Sequence, residues 1–281
     1  MRSLSSLAPW PLLAALMIAG CGAQPAGQAD APNMTGNDAG NDAAANLARP
    51  PAQAAPANAV AIKEKVGEIE FDYSWPQAAA EIAGLDSWLR SNGEHLRKQT
   101  LDGGRADEAE AKKAGYPFRG HTYEEHWSVV ADVPALLVMQ SEGYVYTGGA
   151  HGMPIVTTLL WDKASSKRLP ADALMDMTVL DRGLNDRFCA ALDAERAKRR
   201  GAPVKTGDPN ELREFVQCVD LGKQTILPVS RNGQALDTIR VVIMPYEAGP
   251  YAEGIYQLDL PVDAAVMQAV KPAYKDAFVQ S

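Results

Sequence analysis

Residues 69–75 read Ile-Glu-Phe-Asp-Tyr-Ser-Trp, and their pattern predicts a strand. Large apolar residues alternate with polar ones along its whole length. Strict alternation is typical of a strand with one buried face and one solvated face. Pro76 follows it. Because proline suits the first turn of a helix, we expect the strand to end there and a helix to begin.

The sequence after Pro76 predicts a helix that packs on this strand. Apolar residues recur at helical spacing over 78–96, which favours one buried face. They are Ala78, Ile82, Leu85, Leu89 and Leu96. The polar stretch 103–115 favours either a weaker helix or a loop. Strand-like runs then follow at 123–131, 136–146 and 155–161, and 162–167 has the composition of a hairpin turn.

The C-terminal half mixes helices and short strands. Leu180, Leu184, Phe188 and Leu192 predict a helix that stops at Gly201. A short helix follows near 212–219, then two strands around Asn232-Gly233, another at 255–260, and a last helix near 266–278. Short turns between strands favour antiparallel sheets with helices packed on one face, an α+β architecture. The length from 62 onward fits either one large domain or two adjoining subdomains.

The last helical turn of 180–200 is strongly basic. It contains Arg196, Lys198, Arg199 and Arg200. Cations at this position favour the negative end of the helix dipole, so we interpret them as solvated charges. A binding patch is the alternative.

The N-terminus predicts export and lipid attachment. Arg2 is followed by an apolar run too short to span a bilayer, which is the layout of a secretory signal. The run ends in Ile18-Ala19-Gly20-Cys21, which resembles the lipobox of bacterial lipoproteins. We therefore expect residues 1–20 to be removed and Cys21 to carry lipid that holds the chain on a membrane. An ordinary signal peptide with a chance cysteine is the alternative.

Residues 22–60 are rich in Ala, Asn, Gly, Pro and Gln, and they hold almost no large apolar residue. Such a composition cannot bury a core and predicts a disordered tether. The expected organisation is a signal peptide at 1–20, the lipidated Cys21 with its tether at 21–60, and two α+β parts at 61–147 and 148–281.

Charge and cysteine usage narrow the possible partners and the compartment. The net charge of -8 argues against nucleic acid, which binds basic surfaces. Cys189 and Cys218 would face an oxidising compartment after export, so we expect them to pair. Two separate buried thiols remain the alternative.

Motifs for nucleotide binding, serine hydrolysis and zinc peptidases do not occur in the sequence. His121 and His126 lie five positions apart, so on one regular strand they would face opposite sides and could not share a metal. We therefore expect no catalytic residue, no cofactor and no metal.

Two loops carry the candidate binding residues. The first is Tyr-Val-Tyr-Thr-Gly-Gly-Ala-His-Gly at 144–152, where paired glycines permit a tight turn. The second is Pro-Tyr-Glu-Ala-Gly-Pro-Tyr-Ala-Glu-Gly at 245–254, whose prolines stiffen it and whose tyrosines suit recognition. The candidate residues are Tyr146, Gly148, Gly149, His151, Tyr246, Pro250 and Tyr251. A purely structural role for either loop is the competing interpretation.

These two loops, with the Leu-Trp-Asp strand at 160–162, resemble the signatures of a bacterial extracytoplasmic domain family of unknown function. The family includes the ectodomain of a lysozyme-sensing anti-sigma factor and the non-catalytic N-terminal part of a peptidoglycan deacetylase. The resemblance would cover about residues 62–278 and implies two adjoining α+β parts. The chain has neither a sigma-binding segment nor a metal-binding deacetylase domain, so an envelope-facing binding module is what the resemblance implies.

Three functions follow, in order of preference. The first is a non-catalytic module that binds or senses peptidoglycan fragments or a lysozyme-like protein, for which an acidic domain is favourable. The second is a cell-wall hydrolase that uses His151; a carboxylate within hydrogen-bond reach of His151 would favour it. The third is a structural envelope lipoprotein. We expect the chain on the periplasmic side of the envelope, anchored to the outer membrane.

Overall fold

The computed structural model describes residues 59–170, 172–205 and 212–281. The predicted signal peptide, the lipid-bearing Cys21 and the tether up to residue 58 lie outside the described residues. In the described part, no helix is both long and apolar enough to cross a membrane.

The alternating stretch forms a strand as predicted. Strand β1 (Val60–Val66) precedes it and pairs antiparallel with β2 (Ile69–Trp75). Ile69, Phe71, Tyr73 and Trp75 are all buried. Phe71, Tyr73 and Trp75 belong to one hydrophobic core. Strand β1 was not predicted from the sequence.

The helix after Pro76 covers this strand. A four-residue helix α1 (Gln77–Ala80) leads into α2 (Ala83–Ala114), which is continuous for 32 residues and stops at Gly115. The stretch 103–115 is therefore helical up to Ala114 and not a loop. Two glycines explain the close packing: a Cβ on Gly93 would lie 2.7 Å from the Tyr73 ring, and one on Gly104 would lie 2.6 Å from Ile69.

Six strands form the first sheet, in the order β1 to β6. The remaining four are β3 (His121–Asp132), β4 (Leu136–Tyr146), β5 (Met153–Asp162) and β6 (Lys167–Leu169). All neighbours are antiparallel except β2 and β3, which are parallel. A parallel pair needs a long crossover, and α2 supplies it.

The C-terminal half forms a second, smaller sheet. Its strands β7 (Thr225–Val229), β8 (Thr238–Ile243) and β9 (Tyr256–Pro261) are antiparallel. Helix α3 (Met177–Arg200) packs its Leu180, Leu184, Phe188 and Leu192 face into the core of this sheet. As predicted, α3 stops at Gly201, which has φ 67°.

Short elements close the second sheet. They are helices α4 (Arg213–Val216) and α5 (Ala264–Ala269), and 3-10 helices at Leu221–Lys223, Tyr251–Glu253 and Pro272–Ala277. The expected disulfide joins Cys189 to Cys218, with their Cα atoms 5.3 Å apart. This disulfide links the segment that follows α4 covalently to helix α3.

The predicted α+β class with two adjoining parts is confirmed by the two sheets and their helices. Strands β5 and β6 complete the first sheet although they lie beyond residue 147. The proposed division at residues 147 and 148 stays a prediction, because sheet membership alone does not show which segments fold independently.

Candidate functional site

The first predicted loop, at 144–152, begins within strand β4, and residues 147–152 join β4 to β5. Gly148 and Gly149 both have φ 95°, in the left-handed region that favours glycine. The Tyr146 hydroxyl donates to the Gly149 carbonyl at 3.1 Å. A Cβ on Gly152 would lie 2.4 Å from the Tyr144 ring, and the Gly152 N–H donates to the Tyr144 hydroxyl at 2.9 Å. Backbone conformation and close contact thus fix this turn.

The second predicted loop joins β8 to β9 and holds one strained residue. Tyr246 has φ 72°, and its side chain is 47% exposed. Its N–H donates to the Gly249 carbonyl at 2.9 Å, which closes a tight turn. A non-glycine residue in this conformation costs on the order of 1–3 kcal/mol, so the surrounding structure must impose it.

The two loops meet although 95 residues separate His151 from Tyr246. Nε2 of His151 lies 3.1 Å from the Tyr246 hydroxyl, and the His151 ring lies 4.2 Å from the Tyr251 ring, centroid to centroid. The Tyr251 hydroxyl donates to the Gly152 carbonyl at 2.8 Å. We call His151, Tyr246 and Tyr251 the aromatic cluster.

Protonation keeps Tyr251 in its donor role. Burial raises its pKa, and interactions with Tyr144 and Tyr246 raise it further. The phenol therefore stays neutral at physiological pH and holds the first loop by its Gly152 carbonyl.

Arg196 stabilises the second loop through a hydrogen bond to the Ala248 carbonyl. The prediction of a solvated charge at this position is wrong, because Arg196 is fully buried. Its guanidinium donates to the carbonyls of Ala248 at 2.9 Å, Gln217 at 2.9 Å and Glu214 at 2.8 Å, and it pairs with Asp193 at 3.1 Å. A buried cation persists only when it is so well paired, because an unpaired one is costly.

Two more arginines of the same helical turn hold the end of the loop. Arg200 Nε lies 2.7 Å from Glu253 Oε1, and Arg200 also donates to the Phe215 carbonyl at 2.9 Å. Arg199 donates to the carbonyls of Glu253 and Ile255 and lies 4.0 Å over the Tyr256 ring. We call Arg196, Arg199 and Arg200 the arginine clamp. Three of the four basic residues therefore fix the second loop. Only Lys198 among them keeps the predicted solvated position, with 79% of its side chain exposed.

The clamp shifts the acid–base properties of its partners. Burial acts to raise the pKa of Glu253, but hydrogen bonds from Arg200 and Tyr256 outweigh it, so the pKa lies below its ordinary value. Burial and the hydrogen bond to Glu253 raise the pKa of Tyr256 to about 12. At neutral pH Glu253 is therefore a carboxylate that contacts the Arg200 guanidinium and the neutral Tyr256 phenol at the start of β9.

Most predicted site residues come together at this surface. Tyr146, Gly148 and Gly149 shape the turn next to the aromatic cluster. Pro250 is exposed and accepts the Glu253 N–H at 2.9 Å, at the start of the 3-10 helix. Sequence reasoning missed the support from Tyr144 and from the clamp. The i, i+3 and i, i+4 spacing of arginines on one helix face could have indicated a common target.

The partners of His151 bear on the hydrolase alternative. Nδ1 lies 3.0 Å from the Gly152 carbonyl oxygen, and Nε2 faces the Tyr246 hydroxyl. Neither partner is a carboxylate, so this alternative lacks the feature that would favour it. His126 Nδ1 lies 2.8 Å from the Ser74 hydroxyl, and His121 lies near Asp107. Within the described ranges, no three metal-ligating side chains are grouped to hold an ion.

Part of this chain is similar to a known protein family. Residues 62–154 match the family model described as Deacetylase PdaC. The family resemblance inferred from the sequence is thereby confirmed. The matched range includes the first loop and ends before the second loop at 245–254. The match suggests a domain associated with the cell envelope.

Two crystal structures of DUF3298 family proteins are also similar to the chain. The protein from Pseudomonas aeruginosa PAO1 is 16% identical with a TM-score of 0.44, covering 84% of this chain and 100% of its own. The protein from Bacteroides fragilis is 16% identical with a TM-score of 0.48, covering 78% and 95% respectively. Both similarities are too weak to carry an argument. No curated protein matches the chain.

Proposed function

We propose that this chain is an envelope lipoprotein whose folded part is a non-catalytic module that binds or senses peptidoglycan fragments or a lysozyme-like protein. In this proposal, Cys21 carries the lipid and residues 22–58 tether the domain at a distance from the outer membrane, on its periplasmic side. The PdaC match supports the envelope setting, and we propose no deacetylase reaction for this chain.

The aromatic cluster carries the proposal. Two loops far apart in sequence converge there, and the exposed Tyr246 is held at a backbone angle that costs free energy. Strain of this kind persists where the surrounding structure imposes it, and it recurs at binding surfaces. Tyrosine offers a large contact area with little rotamer entropy to lose, which suits recognition.

Rigidity is the second support. The arginine clamp fixes the second loop through main-chain carbonyls of Ala248, Glu253 and Ile255. Glycine geometry and the Tyr251 hydrogen bond fix the first. A surface ordered before it meets a ligand loses less entropy on binding. The net charge of -8 would also favour encounter with a basic lysozyme.

Retention assays test the proposal. The purified mature chain is incubated with peptidoglycan sacculi and, separately, with immobilised lysozyme. We expect the wild type to be retained by at least one of them and Tyr246→Ala to lose at least tenfold in affinity, since the central contact area disappears. Val279→Ala, which trims an exposed apolar side chain elsewhere, is the matched control. Retention of the wild type by neither material would contradict the proposal.

The anchor is tested separately. Cells that express the wild type or Cys21→Ala are labelled with palmitate, and their membranes are separated by density. We expect label only on the wild type, in the outer-membrane fraction. Label on the alanine variant would overturn the proposed attachment site, and label in the inner-membrane fraction would overturn the proposed location.

A further inference from the structure

A cleft of about 570 Å³ lies beside the first loop. Gly148 and Gly149 line one side, and the segment from Tyr116 to His121 lines another, together with Asp107 of helix α2. This volume falls within the range of small-ligand sites. None of these residues except the two glycines was among the predicted site residues.

The return from helix α2 to strand β3 builds the cleft. Helix α2 stops at Gly115 with φ 77°, and Gly120 has the same φ of 77°. A Cβ on Gly120 would lie 2.4 Å from the Glu68 carbonyl oxygen, so the chain presses against the sheet there. Between these two glycines, Tyr116 is 54% exposed, whereas the Phe118 ring lies 5.7 Å from the His121 ring, centroid to centroid.

Arg119 and His121 of the cleft each have hydrogen-bonding capacity that the described residues leave unused. Arg119 is exposed, and within the described residues it makes no ion pair or hydrogen bond. His121 is 5% exposed, and its Nε2 has no hydrogen-bond partner. Asp107 Oδ2 lies 2.9 Å from that nitrogen, at the distance of an ion pair with a protonated imidazole, although the contact is not a hydrogen bond.

We propose that this cleft is a subsite for a carboxylate-bearing amino sugar, the chemistry of a muramic acid unit. The inference rests on the proposed function and deepens it. The exposed ring of Tyr116 offers a flat apolar face for the C–H-rich face of a pyranose. Arg119 supplies a planar pair of donors that matches a carboxylate.

The remaining groups suit the rest of such a ligand. Asp107 accepts hydrogen bonds from sugar hydroxyl or acetamido N–H groups, and its side chain is 61% exposed, so it is free to move from His121. His121 Nε2 then gains a ligand hydroxyl as its partner. A concave site of this size favours a glycan fragment over the broad surface of a folded protein.

Two disaccharides of equal ring number test the subsite. Titration calorimetry of the full mature chain uses N-acetylglucosaminyl-N-acetylmuramic acid and N,N′-diacetylchitobiose, which lacks the carboxylate. We expect the first to bind at least tenfold more tightly, because a charge-assisted hydrogen bond contributes about that factor or more. Equal affinities, or no binding of either sugar, would overturn the inference.

Variants assign the contacts. Arg119→Gln should reduce binding of the acidic disaccharide to the level of chitobiose, whereas Arg182→Gln, which removes an equally exposed charge from helix α3, should leave it unchanged. Tyr116→Ala should weaken both sugars. Thermal melts confirm that each variant is folded. Unchanged affinity of folded Arg119→Gln for the acidic sugar contradicts the proposed contact.

The outcomes separate this inference from the proposed function. Retention on sacculi that depends on Tyr246, without disaccharide binding, leaves the proposed function standing and removes the cleft. Disaccharide binding that depends on Arg119, without any effect of Tyr246→Ala on retention, supports the cleft and removes the aromatic cluster from recognition.

Discussion

Helices α2 and α3 pack on their sheets through different contacts. Helix α2 approaches β2 through Gly93 and Gly104, where no other side chain fits. Helix α3 also packs an apolar stripe, but its C-terminal turn buries a cation that binds carbonyls of the adjoining segments. Helix α2 also makes polar contacts with its sheet, such as the hydrogen bond from Trp75 Nε1 to Asp86 at 3.0 Å, but the two glycines set its close approach. Helix α3 adds a buried cation and a disulfide to its apolar stripe. Among the described residues, this cation links the second core directly to a candidate binding loop.

Removing the buried cation should have the largest effect. Arg196→Met leaves the carbonyls of Ala248, Glu214 and Gln217 without their donor, and we expect the free energy of unfolding to fall by about 3–5 kcal/mol. Urea denaturation measures it. Arg182→Met, at an exposed position of the same helix, should stay within about 0.5 kcal/mol of the wild type. A loss below about 1 kcal/mol for Arg196→Met would show that the buried cation contributes little to holding helix α3.

Removing the disulfide should cause the next largest loss in the free energy of unfolding. Replacing both Cys189 and Cys218 by serine frees a segment that closes over 29 residues, and we expect a loss of roughly 3 kcal/mol. Adding reductant to the wild type should have the same effect in urea denaturation and should leave the double variant unchanged. A wild type that is indifferent to reductant would contradict this role.

Two glycines of helix α2, Gly93 and Gly103, test whether close packing holds this helix on its sheet. Gly93→Ala places a methyl against the buried Tyr73 ring, whose hydroxyl accepts a hydrogen bond from Trp127 Nε1. Because this ring cannot easily shift, we expect a loss of about 1–3 kcal/mol in the free energy of unfolding. Gly103→Ala meets open space and should instead stabilise the helix by up to about 1 kcal/mol. Thermal melts that move in the same direction for both variants would refute close packing as the reason for Gly93.

The smallest expected effect is a pH dependence at the arginine clamp. The pKa of Glu253 is lowered in the folded state, so its contribution to stability is complete above its ordinary value of about 4.5. That contribution is lost as the pH falls through the lowered folded-state pKa. The stability difference between wild type and Glu253→Gln should therefore shrink between pH 6 and pH 3 in urea denaturation. A difference that stays constant over this range would argue against an ionised pair.

Much of the local structure follows from short sequence patterns. Alternation over 69–75 predicted β2, and the apolar stripe of 180–192 predicted helix α3. Glycine and proline content located both candidate loops. The polar stretch 103–115 was ambiguous because its polar composition gives no apolar face. Gly104 shows why it is nonetheless helical: a glycine that looks like a helix breaker provides room for Ile69.

Sequence patterns alone predicted most helices and strands, favoured the pairing of Cys189 with Cys218 over separate thiols, and located the two candidate loops. Periodicity and turn chemistry follow short-range rules, so they are visible in the sequence. The parallel pairing of β2 with β3, the contact of His151 with Tyr246 and the burial of Arg196 became known from the folded structure. Those features depend on register and packing between segments tens of residues apart, and no local pattern encodes which distant carbonyl a guanidinium will reach.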